Sequence, residues 1–254
     1  MELASAEEAL LPGFLAFFDR LFGDRRTRTT FAEVVKGIIS AGSLVCQRIA
    51  QGSPLLSAVQ EGGQRVSRLA RGESTKRSQL NAETLTAVLR ERGVAHLAGG
   101  EGDELWLVAD GSELRKPYAR EMPCLMRVLD LDGGLVWGYR TLNVVGITPS
   151  RRAILYHRLF SVKEQDFSSE SLEVQRALQE VSAAVESVKA HREVTWIVDS
   201  AFDDVAVWRT IWEQDEHVVC RLKHRERNVA WQGAQGQWVE GDIQGAVGTL
   251  QEMA

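Results

Sequence analysis

The length, composition and charge of the chain exclude several classes of protein. Its 254 residues are 44% hydrophobic and 26% charged, which is enough apolar material for a buried core and too much for a disordered protein. No apolar run approaches the roughly 18 residues of a membrane span, and the acidic first residues lack the basic start of a secretory signal. Three widely separated cysteines exclude a disulfide scaffold and a CxxC zinc site, and they predict a reducing cytoplasm.

The net charge of −5 divides unevenly along the chain. Residues 1–100 hold 13 basic and 10 acidic residues, whereas the remaining 154 residues hold 17 basic and 25 acidic ones. The arginines clustered in the basic part either contact the phosphates of DNA or form a solvated helix face. These arginines are Arg25, Arg26, Arg28, Arg65 and Arg68.

The first hundred residues have the pattern of several short helices. Apolar residues recur at helical spacing from Leu11 to Phe22. A capping box formed by Thr30 and Glu33 predicts the start of a second helix. Ser53-Pro54 predicts the start of another, and Gly93 is expected to end the last one. Such a region suits either a helix-turn-helix-like DNA-binding domain or a plain helical domain.

From about residue 100 the pattern changes to strands and helices. Apolar runs of strand length alternate with turn signals, and Asp132-Gly133-Gly134 marks a hairpin. The predicted order is a group of strands, a helix, a strand, a second helix and a last strand. These elements are expected at Leu105–Ala109, Cys124–Leu131, Leu135–Tyr139, Ala153–Phe160, Val174–Val188, Val194–Val198, 203–214 and His217–Leu222.

Two of the predicted strands end in an aspartate. Asp110 follows Leu105–Ala109, and Asp199 follows Val194–Val198. Parallel strands side by side would bring both carboxylates to the edge where the sites of α/β sheets form. Neighbouring carboxylates repel each other, and a divalent cation that prefers oxygen ligands, Mg²⁺ or Mn²⁺, relieves the repulsion. The alternative is that each aspartate only caps the turn that follows it.

Four segments around these strand ends form a recognisable pattern, namely Val108-Ala109-Asp110-Gly111-Ser112, Gly138-Tyr139-Arg140, Trp196-Ile197-Val198-Asp199 with Phe202 and Asp203, and Val218 to His224. The pattern resembles that of the DDE transposases of bacterial insertion sequences. It is most similar to the insertion-sequence-four group of cut-and-paste enzymes, over roughly residues 100–228.

The resemblance implies an α/β fold, with an RNase H-like mixed sheet core and helices, preceded by an all-helical N-terminal domain. It implies that Asp110 and Asp199 are the first two carboxylates of a catalytic triad that binds two Mg²⁺ or Mn²⁺ ions. Arg221, Lys223 and His224 would then contact the DNA backbone near the cleaved phosphate. The implied partners are transposon terminal repeats, target DNA and, in a synaptic complex, a second copy of the chain.

The third carboxylate of the triad is not found in the sequence. In this group a glutamate belongs to a Tyr…Arg…Glu…Lys signature, which the chain lacks. Residues 229–254 are rich in glycine and predict short strands and turns, similar to the start of a β-rich insertion that precedes the glutamate in this group. Glu240 and Glu252 are available carboxylates, but neither has the expected setting. The sequence therefore predicts an amino-terminal part of a transposase that ends inside the insertion.

Three functions follow as predictions. The first is a bacterial, nucleoid-associated transposase, or an N-terminal fragment of one, that cleaves transposon ends and joins them to target DNA with divalent metal. The second is a catalytically incomplete DNA-binding fragment that at most inhibits transposition, so whether the chain is an enzyme stays open. The third is an RNase H-like nuclease unrelated to transposition.

The predicted domains follow the same division of the chain. A helical DNA-binding domain is expected at 1–98, a partial catalytic core at 99–228 and the start of the insertion at 229–254. No membrane association is expected, because no apolar run is long enough.

Overall fold

The computed structural model describes residues 13, 15–16, 18–22, 24–58, 60–70, 82–224, 226–233 and 235–243. The chain divides into two compact units, Met1–Leu89 and Arg90–Ala254. Each unit has a hydrophobic core of its own. Among the described helices, none combines the length and the apolar character needed to cross a membrane.

The first unit is helical throughout its described part. A 3-10 turn at Phe18–Leu21 is followed by α1 (Arg25–Ala41), α2 (Cys46–Gln51), α3 (Pro54–Ser57), α4 (Gly62–Ala70) and the start of α5 (Ala82–Ala98). The rings of Phe18 and Phe22 lie 5.4 and 5.1 Å from that of Phe31 and form a core with it. Leu11 and Phe14 of the predicted first helix lie outside the described residues.

Helix α1 begins earlier than the predicted capping box. Asp24 caps it by accepting a hydrogen bond of 2.8 Å from the Thr27 N–H. A carboxylate at this position satisfies a free N–H of the first turn, so the helix is already formed before Thr30. Thr30 lies inside the helix, where its hydroxyl donates to the Arg26 carbonyl, and Glu33 is buried. The predicted capping box is therefore wrong.

The other two predicted helix boundaries had different outcomes. Ser53 begins α3 as predicted, because its hydroxyl accepts a hydrogen bond from the Leu56 N–H at 3.3 Å. The predicted end at Gly93 is wrong, since α5 continues to Ala98. A Cβ at Gly93 would lie only 2.9 Å from the carbonyl oxygen of Ile154. Glycine is thus needed here for close packing against a strand and does not end the helix.

The second unit is built on a mixed sheet. Its strands are β1 (Glu104–Arg115), β2 (Met126–Leu129), β3 (Leu135–Ile147), β4 (Arg152–Phe160), β5 (Glu193–Val198) and β6 (His217–Cys220). Strand β3 pairs antiparallel with β1, β2 and β4, while β5 is parallel to both β1 and β6. The helices are α6 (Glu170–Ala184), α7 (Glu186–Lys189) and α8 (Val205–Trp212). The predicted fold class, an α/β core with a mixed sheet and helices that follows a helical part in the sequence, is confirmed for the described residues.

Strands β1 and β3 are longer than predicted. The two strands pair from Trp106↔Ile147 to Arg115↔Gly138, well beyond the predicted ends at Ala109 and Tyr139. Antiparallel strands with one exposed face contain polar residues at alternate positions. Those polar residues interrupt a continuous apolar run, which was the signal used to place the strand ends.

The core of this unit lies on one face of the sheet. Alternate residues of β1 and β5 point to the same face and are buried, among them Leu107 and Trp196. Side chains on the other face are more exposed, with Ile154 at 61% and Val219 at 59% of their maximum. The exposed face is therefore the one on which a site can form.

A separate antiparallel hairpin follows the sheet. It consists of β7 (Asn228–Gln232) and β8 (Trp238–Asp242), in agreement with the short strands predicted for this segment. Residues 244–254 lie outside the described part of the chain.

Candidate active site

Asp110 and Asp199 follow corresponding positions of two neighbouring parallel strands. The pairing of β1 with β5 runs to Ala109↔Val198, and the two aspartates are the next residues. Neighbouring strands lie about 4.8 Å apart. Ala109 and Val198 are buried in the core, so the alternation of side chains puts both aspartates on the exposed face. The structure thus brings together the carboxylates that the sequence predicted as a pair.

The two carboxylates have different surroundings. Asp199 Oδ1 accepts a hydrogen bond of 2.9 Å from the Ala201 N–H and begins the 3-10 turn Ser200–Phe202. The capping role is therefore observed for Asp199, although it uses only one of the two oxygens. Asp110 lies inside β1, and in the described part of the chain its carboxylate has no hydrogen-bond or ion-pair partner. Capping does not account for Asp110.

Two further polar residues, which the sequence reasoning missed, continue the same row across the sheet. Asn143 pairs with Asp110 between β3 and β1, and His157 pairs with Asn143 between β4 and β3. His157 Nδ1 lies 2.7 Å from Asn143 Oδ1. The row of Asp199, Asp110, Asn143 and His157 therefore crosses four strands. The alternation of polar and apolar residues in β3 was the signal that could have located Asn143.

The donor set at this edge fits a divalent cation. Two neighbouring carboxylates supply the charged oxygen ligands that Mg²⁺ and Mn²⁺ prefer. Within the described residues, no group of three or more acidic, histidine or cysteine side chains is arranged to hold a metal ion. Glu240 is an exposed residue of β8 in the separate hairpin, and Glu252 lies outside the described residues. The site therefore has two carboxylates, with an amide and an imidazole beside them.

The predicted basic residues begin next to Asp199. The pairing of β5 with β6 runs to Val198↔Cys220, so Arg221 comes directly after the last pair. The side chains of Arg221, Lys223 and His224 are all exposed. Within the described part of the chain, Arg221 and Lys223 have no acidic partner. Their positive charges are thus available to an anion.

A buried carboxylate, Asp203, holds the backbone of this basic segment. Its Oδ2 accepts hydrogen bonds from the N–H groups of Lys223 and His224, at 2.6 and 2.7 Å. Its Oδ1 lies 2.8 Å from Arg227, and its side chain is only 1% exposed. Burial by itself would raise the pKa of Asp203, but the two backbone hydrogen bonds and Arg227 outweigh it and hold the pKa below its ordinary value.

The clustered arginines of the first unit lie around α1 and α4. Arg26 and Arg65 line two grooves. The first has a volume of about 410 Å³ and is also lined by Arg68. The second has a volume of about 550 Å³ and is also lined by Arg25. Arg28 lines a different groove with Asp19, whose carboxylate is 3.7 Å away. Four of the five predicted arginines therefore line these two grooves, and acidic neighbours partly balance the charges of Arg28 and of Arg68, which lies 3.4 Å from Glu61.

Comparisons with known proteins gave only distant similarities. No protein-family model and no curated protein matches the chain. It is similar to the catalytic domain of the Mos1 mariner transposase, with 15% identity and a TM-score of 0.30, over 57% of this chain and 64% of that one. It is also similar to the piggyBac transposase in a synaptic complex with hairpin DNA, with 11% identity and a TM-score of 0.38, over 89% of this chain and 50% of that one.

A third similar structure is the Mos1 mariner paired-end complex with Mn, at 14% identity and a TM-score of 0.31, over 77% of this chain and 60% of that one. The chain spans less than two thirds of the length of each of these three proteins. Similarities at this level do not assign the chain to a family or to a function.

Proposed function

We propose that the chain is a metal-dependent transposase of the DDE type, or an amino-terminal part of one, that cleaves transposon ends and joins them to target DNA. The observation that supports this most directly is the register of β1 and β5, which makes Asp110 and Asp199 neighbours on an exposed sheet face. The sequence resemblance to the insertion-sequence-four group supports the same function, and we propose that group as the narrower relationship.

In this proposal Asp110 and Asp199 hold two Mg²⁺ or Mn²⁺ ions. Such a pair of ions, when bound, activates a water molecule or a 3′-hydroxyl and stabilises the leaving oxygen of a phosphodiester. The chain itself orients the carboxylates. Asp110 is fixed by a strand that pairs with β3 beyond it, and Asp199 is oriented by the hydrogen bond from Ala201. Asn143 and His157 extend this polar surface on the side of Asp110 away from Asp199.

The basic segment after β6 would bind the DNA strand beside the cleaved phosphate. Arg221 suits this role because its guanidinium donates two parallel hydrogen bonds to a phosphate. Lys223 and His224 lie within three residues of Arg221 and add further donors. Their proximity to Asp199 means that one DNA strand can contact these donors and the carboxylate pair together.

The helical unit would bind terminal repeats through its grooved basic surface. Arg25, Arg26 and Arg65 supply charges that neutralise phosphates, while Arg28 and Arg68 contribute less because of Asp19 and Glu61. The functional domains that we propose are DNA binding at 1–98, the catalytic core at 99–228 and the start of a β-rich insertion at 229–254. We further propose a nucleoid location in bacteria, and pairing of two copies on synapsed ends.

Metal binding tests the carboxylate pair directly. Mn²⁺ is titrated calorimetrically into the wild-type chain, Asp110→Ala, Asp199→Ala and Asp132→Ala. Asp132 is a matched control, because it is an exposed aspartate of the same unit that caps a hairpin turn. Loss of either predicted ligand should weaken Mn²⁺ binding by about 10-fold or more, whereas Asp132→Ala should bind like the wild type. Equal Mn²⁺ affinity in all four proteins would refute the proposal.

DNA cleavage then separates the candidate activities. Supercoiled plasmids with and without the repeats that flank the gene are incubated with each protein and Mn²⁺. Nicking that prefers the repeats and is lost in Asp110→Ala supports a transposase. Nicking without preference supports a nuclease. DNA binding without nicking supports a catalytically incomplete DNA-binding fragment.

A further inference from the structure

In the described part of the chain, the hydrogen bonds and the ion pair of the buried Asp203 side chain all go to the proposed DNA-binding segment and to Arg227, just after it. Besides the two backbone N–H groups, it contacts Arg227, whose guanidinium also donates to the Asp203 carbonyl at 3.3 Å. Arg227 in turn lies over the ring of Trp208, 4.6 Å from its centre. Arg227 is thus only 21% exposed and occupied within the fold. It serves as the counter-ion that a buried carboxylate requires.

The contacts of Asp203 fix the backbone from which the side chains of Arg221, Lys223 and His224 project. Leu222 packs against the core of the unit, while the exposed side chains of Arg221 and Lys223 flank it on either side in the sequence. The N–H groups of Lys223 and His224 both donate to the same oxygen of Asp203. The segment is therefore held between the core and a buried charge, although it belongs to no strand or helix.

We propose that Asp203 is a positioning residue for DNA, which fixes the segment Arg221–His224 beside Asp199 before DNA arrives. This inference rests on the proposed function, because the phosphate contacts of Arg221, Lys223 and His224 are part of it. Ordering a loop during binding costs conformational entropy for each residue whose backbone is fixed. A segment ordered in advance avoids that cost, so Asp203 increases DNA affinity without contacting DNA.

The arrangement also explains why an acid is tolerated next to a DNA-binding segment. Asp203 carries a negative charge, which in an exposed position would repel phosphate. Its charge is instead compensated by Arg227 and by two backbone dipoles, and the carboxylate is shielded from solvent. The exposed positive charges of Arg221 and Lys223 attract DNA, and the exposed carboxylate of Glu226, which follows, lies 3.4 Å from His224.

The neighbouring residue Asp204 provides a matched control. Its Oδ1 accepts a hydrogen bond from the Ala206 N–H at 2.8 Å and caps α8, while its Oδ2 accepts one from the Ser171 hydroxyl at 2.7 Å. Asp204 therefore stabilises the same unit through a comparable number of hydrogen bonds, but none of them reaches the basic segment. A purely structural role of Asp203 would make the two alanine variants behave alike.

The experiment compares DNA affinity and stability in full-length Asp203→Ala, Asp203→Asn, Asp204→Ala and Lys223→Ala. Binding of a fluorescent 30-base-pair duplex is measured by anisotropy between about 50 and 200 mM salt. We expect Asp203→Ala to bind the duplex about 10-fold more weakly than the wild type. The slope of log affinity against log salt concentration should also be lower by about two, because two phosphate contacts are lost. Asp204→Ala should lower the melting temperature but leave affinity and slope unchanged.

A double variant identifies the route of the effect. If Asp203 acts through the segment, Asp203→Ala in the Lys223→Ala background should cost less affinity than it does alone. Hydrogen exchange of the Lys223 and His224 amides should accelerate in Asp203→Ala and not in Asp204→Ala. If Asp203→Ala does not fold, Asp203→Asn, which keeps an oxygen acceptor but not the charge, is used for the same comparisons.

Three results would overturn the inference. One is equal DNA affinity of the Asp203 and Asp204 variants, and another is unchanged exchange of the two amides in Asp203→Ala. The third is full additivity of Asp203→Ala with Lys223→Ala. The proposed function fails separately, if Lys223→Ala binds DNA as tightly as the wild type or if no Mn²⁺ binding depends on Asp110.

Discussion

Asp199, Asp203 and Asp204 lie within one short stretch of chain and yet use their carboxylates in different ways. Asp199 is exposed and caps a 3-10 turn with one oxygen, Asp203 is buried against a segment twenty residues away, and Asp204 caps a helix. The difference comes from the direction in which each side chain leaves the backbone after β5. A carboxylate's chemical role therefore depends on which N–H groups are within reach and not on its residue type.

The buried carboxylate Asp203 predicts a specific response of stability to pH. Its pKa in the folded chain is below the ordinary value of 3.8. Its contribution is therefore fully present above that ordinary value, and it is lost as the pH falls through the folded pKa. The free energy of unfolding should decrease more steeply below about pH 4 in the wild type than in Asp203→Asn, whose side chain does not titrate.

Urea unfolding of both proteins at pH values from 6 to 2 measures this difference. Asp203 faces the Lys223 and His224 amides, the Arg227 guanidinium and the charge of the His224 imidazole, all of which are present in both proteins. Parallel curves for the wild type and Asp203→Asn would show that Asp203 is not the group responsible.

At the scale of elements, the crossing of α1 and α2 depends on one glycine. A Cβ at Gly37 would lie 2.2 Å from the carbonyl oxygen of Ile49. Because that neighbour is backbone, it cannot rotate away as a side chain can. Close packing here also brings Glu33 of α1 within 2.6 Å of the Ser53 hydroxyl, which begins α3. The glycine therefore sets the spacing of several helices.

Gly37→Ala should destabilise the first unit in spite of the higher helix propensity of alanine. In an open helix the change would add up to about 1 kcal/mol, whereas the clash at α2 should cost about 1–3 kcal/mol. Ser40→Ala is the control, because Ser40 is an exposed residue of the same helix. Thermal unfolding followed by circular dichroism measures both. A stabilised Gly37→Ala would show that the two helices can separate at no cost.

At the scale of the whole molecule, charge follows the two units. Residues 1–100 have an excess of basic residues, and the rest of the chain has an excess of acidic ones. The grooved surface around Arg26 and Arg65 belongs to the first unit, and the carboxylate pair belongs to the second. The proposed function therefore assigns DNA anchoring and DNA chemistry to separate units.

Replacing Arg26 and Arg65 together should weaken DNA binding at every sequence. Loss of two phosphate contacts should lower the slope of log affinity against log salt by about two. Arg48→Ala is the control, since Arg48 is exposed on α2 and does not line the grooves. Metal binding by Asp110 and Asp199 should stay unchanged in Arg26→Ala/Arg65→Ala. An unchanged salt slope would contradict DNA binding by this surface.

Much of the second unit could be predicted from local pattern. The runs Leu105–Ala109 and Val194–Val198 have buried residues at alternate positions and mostly apolar residues between them, and their strands are central in the sheet. That signal located both strands and the aspartates that follow them. It placed the end of β1 too early, because the antiparallel pairing that continues the strand depends on a partner about thirty residues away.

By itself, the sequence predicted the fold class, the helices of the first unit and the two apolar strands that lead to Asp110 and Asp199, since these follow from periodicity and from turn residues close in the chain. Only the tertiary structure decided that Asn143 and His157 join the carboxylate row, that Arg26 and Arg65 share a groove, and that Asp203 binds the segment after β6. These contacts join residues that are far apart in sequence and leave no local pattern, because they arise only when strands align and helices pack.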